Sequence, residues 1–238
     1  MGFYTQQVLP RLVDKACATE SVGKWRAKVL AGLVGVVVEP GFGSGSNLPY
    51  FPPEVTKVYA IDPATLGRKL AGDRLEASAI EVEFVGLDGQ QIPLDDNSCD
   101  GAALTFTLCT IPDPDVALAE LRRVIKPGGA VHFVEHGLAD DPSMQKWQFR
   151  IDPVQKRLFG GCHVSRDHGS LLTDAGFEID WIEREYASGP KAWSFYHLGR
   201  AAELAATAKS AVRGSQRSSD ERSAGILVDQ LGEPCGIV

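Results

Sequence analysis

The sequence predicts an α/β protein built on a mainly parallel sheet, and three observations carry that prediction. Apolar runs at 36–39, 57–62, 82–85, 100–106 and 130–135 read as buried strands. Helical apolar patterns separate most of them, and strands alternating with helices imply βαβ units. A glycine-rich segment, Gly41-Phe42-Gly43-Ser44-Gly45, follows the first strand directly. Glycine there lets the chain turn tightly and approach a ligand with no Cβ in the way.

The elements follow in order. Residues 3–17 carry Phe3, Val8, Leu9, Leu12, Val13 and Ala16 at helical spacing, with Pro10 starting or bending the helix. A second helix is expected over 21–33, with Trp25, Val29, Leu30 and Leu33 on one face. Beyond the glycine loop come a strand at 57–62, a helix over 64–78 and a strand at 82–85. After the strand at 100–106, Asp113-Pro114 supplies an N-cap and a first-turn proline. Val116, Leu118, Leu121, Val124 and Ile125 form the buried stripe of that helix, and Lys126-Pro127-Gly128-Gly129 ends it before the strand at 130–135. Residues 137–168 break the pattern and read as irregular. A helix near 168–175 leads to a strand at 177–182, and a turn at Ser188-Gly189-Pro190 to a last strand near 192–198. With no helix between them, these two should pair antiparallel. An alanine-rich helix is expected from about Ala201, running into a polar stretch at 213–220 that reads as a disordered linker.

Length and charge narrow the function. A chain of 238 residues suits one α/β domain with additions. A formal net charge of −7 argues against a nucleic-acid partner, which needs a basic face. Five scattered cysteines without a C-x-x-C pair argue against a disulfide framework or a zinc site, so no metal is expected. The N-terminal stretch has no signal-peptide pattern and no apolar run is long enough to span a bilayer, so a cytoplasmic location is expected.

Two acids stand at strand ends around the glycine loop. Glu39 closes the first strand, and Asp62 closes the second about twenty residues on, where a carboxylate suits ribose hydroxyls. Asp88 follows the third strand and suits an adenine amino group, with Leu87 packing on the ring. Each feature alone is compatible with an ordinary turn or a strand-terminal acid; together they point to a nucleotide-like cofactor. A dinucleotide dehydrogenase prefers G-x-G-x-x-G/A, whereas this loop reads G-x-G-x-G with Ser46 at the final position. An NAD-dependent oxidoreductase is therefore the rival reading.

The run Glu39-Pro40-Gly41-Phe42-Gly43-Ser44-Gly45 resembles motif I of the class I S-adenosylmethionine-dependent methyltransferases. Asp62 and Asp88 resemble that family's ribose- and adenine-binding acids. Ile92–Asp100 resembles the lead into its fourth strand, and Leu121–Gly129 the helix and turn before its fifth. The resemblance covers about residues 30–200. It implies a Rossmann-like fold, with seven strands, the last antiparallel, and helices on both faces. It also implies S-adenosyl-L-methionine as cofactor, held by Glu39, Gly41, Gly43, Gly45, Asn47, Asp62, Pro63, Leu87, Asp88, Gly89, Thr105 and Thr107. Val134-Glu135-His136, Trp147-Gln148 and Phe159–Arg166 further resemble stretches of the membrane-anchored thiol S-methyltransferases of animals. The ubiquinone/menaquinone-biosynthesis C-methyltransferases are a more distant match.

The expected domains are an N-terminal helical cap over 1–35, a cofactor-binding domain over 36–200 with a lid or substrate insert at 137–168, and a C-terminal helix and tail over 201–238. His136, just past the fifth strand, is a candidate base because imidazole titrates near neutrality; its competing reading is a structural histidine at a strand end. Cys109 reads as a small packing residue and Asp113 as a helix cap. In the insert, Trp147, Phe159, His163 and Arg166 are candidate contacts for a small lipophilic or aromatic acceptor, a thiol, phenol or quinol. Those aromatics would equally cover the sheet edge. A non-catalytic cofactor-binding module is the alternative from outside enzymology.

Overall fold

The computed structural model describes residues 8, 10–12, 14 and 19–203. Seven strands form a single sheet in the order β3-β2-β1-β4-β5-β7-β6. They are β1 (Gly35–Pro40), β2 (Val55–Ile61), β3 (Glu81–Gly86), β4 (Cys99–Thr105), β5 (Ile125–His136), β6 (Phe177–Tyr186) and β7 (Phe195–Glu203). The first five run parallel, and β7 lies antiparallel to both β5 and β6. Strand order reverses at β1, whose neighbours are β2 and β4, so their carboxyl ends open a crevice there.

Helices cover both faces. Among the described residues they include α1 (Glu20–Leu30), α2 (Thr65–Leu70), α3 (Gly72–Ala77), α4 (Pro114–Val124), α5 (Pro142–Leu158) and α6 (His168–Asp174). Alternation along the strands divides the core. Val37 and Ala103 join Trp25, Val29 and Leu30 of α1 on one face. Val38 and Leu104 join Leu118, Leu121 and Leu172 of α4 and α6 on the other. Burial of both faces is why these strands read as near-continuous apolar runs.

Several expectations change. The helix expected over 64–78 is two short helices that meet at Ala71 and Gly72. Ile125, expected on the helix, opens β5, and Lys126–Gly129, expected as the turn before it, lie within that strand, with a register shift between Cys99 and Gly101 on the neighbouring strand. Residues 201–203 are not helical: Ala201 pairs with Val131 and Ile179 in the sheet, and Glu203 is ion-paired to Arg122 at 3.0 Å. The rest of the expected C-terminal helix and tail, 204–238, lies outside the described residues, as does most of the helix expected over 3–17.

The largest change is α5, which occupies the segment read as irregular. Its inward-facing residues are amides. Gln148 is fully buried, accepts the Ala139 N–H at 2.8 Å and donates to the Gly137 carbonyl at 2.9 Å. Trp147, Phe149, Val154 and Leu158 are outside. The helical stripe is present in the sequence, Trp147, Ile151, Val154 and Leu158 at spacings of four, three and four, but Pro153 within it reads as a helix breaker. Asp141 caps its start by accepting the Ser143 N–H at 2.7 Å.

Candidate functional site

Glu39, next to last in β1, is buried at 2 % exposure. Asn47 Nδ2 donates to its Oε1 at 2.8 Å, while its Oε2 has no hydrogen-bond partner. Asn47 is held in turn by the Arg26 guanidinium, which also donates to Thr105 Oγ1 at 2.8 Å. Burial pushes the Glu39 carboxyl up to about 8, against the opposing pull of Arg26 and Asn47. An unsatisfied buried carboxylate oxygen is costly unless a donor or cation completes it.

The loop after Glu39 is shaped by contacts that exclude side chains. Gly41 has φ +73°, and a Cβ there would stand 2.0 Å from Thr107 Oγ1. The Gly41 N–H donates to the Ile61 carbonyl at 2.7 Å, tying the loop to β2. Asp62, one residue beyond β2, accepts the Gly43 N–H at 2.8 Å and the Ala64 N–H at 2.7 Å. Burial raises its carboxyl above the ordinary aspartate value, with those two N–H groups pulling the other way. Asp88 is exposed at the rim and accepts the Gln90 N–H at 2.8 Å, beside Leu87 at 63 % exposure.

These groups line one cavity of about 560 Å³ at the carboxyl ends of β1, β2 and β4. Glu39, Gly41, Gly43, Asp62, Pro63, Leu87, Asp88, Gly89, Thr105 and Thr107 all stand on its wall. Gly45 and Asn47 do not: Gly45 closes the turn by donating to the Phe42 carbonyl at 3.0 Å, and Asn47 positions Glu39 from behind. Sequence reasoning missed Arg26, whose signal was a cation within the apolar stripe of α1. Phe106 was missed too; it lines the cavity with φ 59°, rare for a bulky residue. Glu135 was missed as an organiser. Its buried carboxylate accepts the N–H groups of Thr107, Leu108 and Cys109 at 2.9, 2.8 and 3.1 Å, fixing the loop after β4.

The residues expected to meet an acceptor divide. Phe159 lines the cavity, with Lys156, Arg157, Gly160 and Gly161 from the end of α5 and the turn after it. Trp147 does not; it lies exposed on α5 with Arg150 5.4 Å from its ring centroid. His163 is paired with Asp152 at 2.6 Å, and Arg166 donates to the Leu108 carbonyl, neither of them on the wall. His136 is also off the wall. Its ring lies 5.6 Å from that of Phe106 and 4.7 Å from that of Tyr196. Its Nδ1 is 3.7 Å from Cys162 Sγ and 4.0 Å from Cys109 Sγ. Asp113 caps α4 by accepting the Val116 N–H at 3.2 Å.

Residues 38–133 match a methyltransferase-domain family model. The human thiol S-methyltransferase TMT1B is 33 % identical over 164 residues, 66 % of this chain and 67 % of that protein. Human TMT1A is 31 % identical over 161 residues, so the match spans 65 % of its length and 66 % of this chain. A geranyl diphosphate methyltransferase solved with S-adenosylmethionine superposes with TM-score 0.61 at 15 % identity, covering 86 % of this chain and 92 % of the other. At that identity the superposition speaks for the fold alone. The sequence relatives, the switch-point cavity and the seven-strand order agree, and the chain belongs to the class I S-adenosylmethionine-dependent methyltransferases.

Proposed function

We propose that the cavity binds S-adenosylmethionine and that the protein transfers its methyl group to the sulfur of a small lipophilic thiol. The observation that carries this is the unpartnered Oε2 of Glu39 on the cavity wall. A buried carboxylate with one free oxygen fits the ammonium of an amino-acid moiety. Asp62 at the end of β2 suits the ribose hydroxyls, with Pro63 beside it, and Leu87, Asp88 and Gly89 suit the adenine edge. Gly41 and Gly43 keep the loop free of side chains where the cofactor passes. Thr105 and Thr107 bring the end of β4 against its methionine part.

The cofactor supplies an electrophilic methyl on a sulfonium, whose displacement leaves a neutral thioether. The chain has to align a nucleophile with that methyl and exclude water. Phe106, Ile111, Pro112 and Phe159 supply an apolar wall suited to a lipophilic acceptor. The choice of sulfur draws support from the thiol S-methyltransferases, which match about two thirds of this chain. An acceptor that arrives ionised needs no base on the wall, and this reading assigns His136 no proton transfer.

A transfer assay with labelled cofactor against thiols, phenols, quinols and amines tests this reading. Methylated thiols are expected. Transfer to phenols or quinols with every thiol inert would overturn the acceptor assignment. Calorimetric binding of NAD in place of S-adenosylmethionine or S-adenosylhomocysteine would overturn the cofactor assignment.

A further inference from the structure

We propose that Cys109, His136 and Cys162 form a binding site for one thiophilic divalent cation of the zinc class. The three come from the loop after β4, the end of β5 and the turn after α5. Their ligand atoms make a closed triangle: 3.6 Å between the sulfurs, and 3.7 and 4.0 Å from the sulfurs to His136 Nδ1. Tetrahedral zinc, with bonds of about 2.3 Å to sulfur and about 2.0 Å to nitrogen, requires edges of roughly 3.8 Å and roughly 3.5 Å. The triangle therefore accepts the ion with shifts of a few tenths of an ångström.

The backbone holds each ligand in place. Glu135 accepts the Cys109 N–H, and the His163 N–H donates to the Cys109 carbonyl at 2.8 Å. The Cys162 N–H donates to the Phe159 carbonyl at 3.2 Å, and His168 Nε2 donates to the His136 carbonyl at 2.7 Å. Both cysteines are buried, at 1 % and 5 % exposure, which keeps competing water from the sulfurs. Two thiolates and a neutral imidazole balance a divalent charge, and binding releases the thiol protons to solvent. Among the described residues no fourth His, Cys, Asp or Glu joins the group. A fourth vertex left to water or an exogenous ligand is the arrangement of an open zinc site rather than a closed structural one. Thr110 and Gly161, chain neighbours of Cys109 and Cys162, line the cavity wall, so the site adjoins the cavity. The inference does not depend on which acceptor is methylated.

The test uses the full chain, reduced and stripped with a chelator, titrated with Zn(II) against a chromophoric competitor and separately with Co(II). One equivalent should bind, with thiolate-to-cobalt charge-transfer absorption and a tetrahedral d–d envelope. Cys109→Ser, Cys162→Ser and His136→Gln should each lower zinc affinity at least tenfold, while Cys99→Ser should leave it unchanged. Near-UV circular dichroism and S-adenosylhomocysteine binding identify any variant that fails to fold. Zinc should also slow alkylation of Cys109 and Cys162 in the unmodified chain, a readout that needs no variant. Absence of stoichiometric uptake by the reduced protein would overturn the proposal. So would uptake indifferent to all three substitutions, or a Cys109–Cys162 disulfide forming in a chain that takes up no metal.

Discussion

Asp62 Oδ2 accepts the Gly43 N–H across 2.8 Å, so the acid that ends β2 fixes the middle of the loop that follows β1. Its other oxygen holds the Ala64 N–H at 2.7 Å, which orients the carboxylate at the cavity wall. Asp62→Ala removes the expected ribose acceptor and the loop's tether together. Lost hydrogen bonds to a charged group cost roughly 1.5–3 kcal/mol, or about one to two powers of ten in affinity. Calorimetry with S-adenosylhomocysteine should show that loss. Unchanged affinity would place the ribose elsewhere.

Glu39 gives the protein a pH signature. Its carboxyl is raised from 4.5 to about 8, first by burial and then by Asp62, against Arg26 and Asn47. The folded chain therefore keeps a proton that the unfolded chain releases. The resulting stabilisation is fully present below 4.5 and is lost as pH rises toward about 8. Thermal unfolding of the ligand-free protein should fall across that window relative to Glu39→Gln, which cannot titrate. Saturating S-adenosylhomocysteine, whose ammonium would pair with the carboxylate, should flatten the difference. Parallel pH profiles for the two proteins without ligand would show that Glu39 titrates normally.

Gly41 and Gly43 separate steric fit from backbone conformation. Both have positive φ, +73° and +56°, so alanine at either pays a left-handed penalty of roughly 1–2 kcal/mol. A Cβ on Gly41 also meets Thr107 Oγ1 at 2.0 Å, whereas one on Gly43 meets only a backbone oxygen at 3.7 Å. Gly41→Ala should therefore unfold at lower temperature than Gly43→Ala, and by more than the conformational penalty alone. Equal melting temperatures would mean that Thr107 moves aside freely.

What the sequence revealed follows from where chemistry is local. Glu39, the loop and Asp62 lie between β1 and the end of β2, two adjacent parallel strands, so spacing alone brings them together. The apolar runs were legible because both sheet faces are covered, and the final hairpin because no helix intervenes. Asn47 and Gly45 were assigned to the right neighbourhood but stand behind the wall, a distinction that only packing makes. Arg26 reaches Thr105 across 79 residues, and Glu135 organises a loop 28 residues before it. No window of sequence contains such pairs. The meeting of Cys109, His136 and Cys162 was hidden for the same reason, since spacings of 27 and 26 residues match no ligand motif.

Helix α5 reverses the usual pattern, and its stability should reflect that reversal. Gln148 satisfies the Ala139 N–H and the Gly137 carbonyl from a fully buried position. Those two backbone groups mark where the chain leaves β5, and the side-chain amide serves both at once. Gln148→Leu keeps the volume and adds apolar surface, which a simple burial argument would count as stabilising. It also leaves a donor and an acceptor without partners, at about 1–3 kcal/mol each. The second effect is larger, so the variant should melt lower by several degrees. Trp147→Ala on the same helix removes a larger side chain that is 57 % exposed. Its effect should stay within about 0.5 kcal/mol, as for other surface changes. If Trp147→Ala proves the more damaging of the two, the outward apolar face of α5 is packed against something, and the amide-inward description of this helix fails.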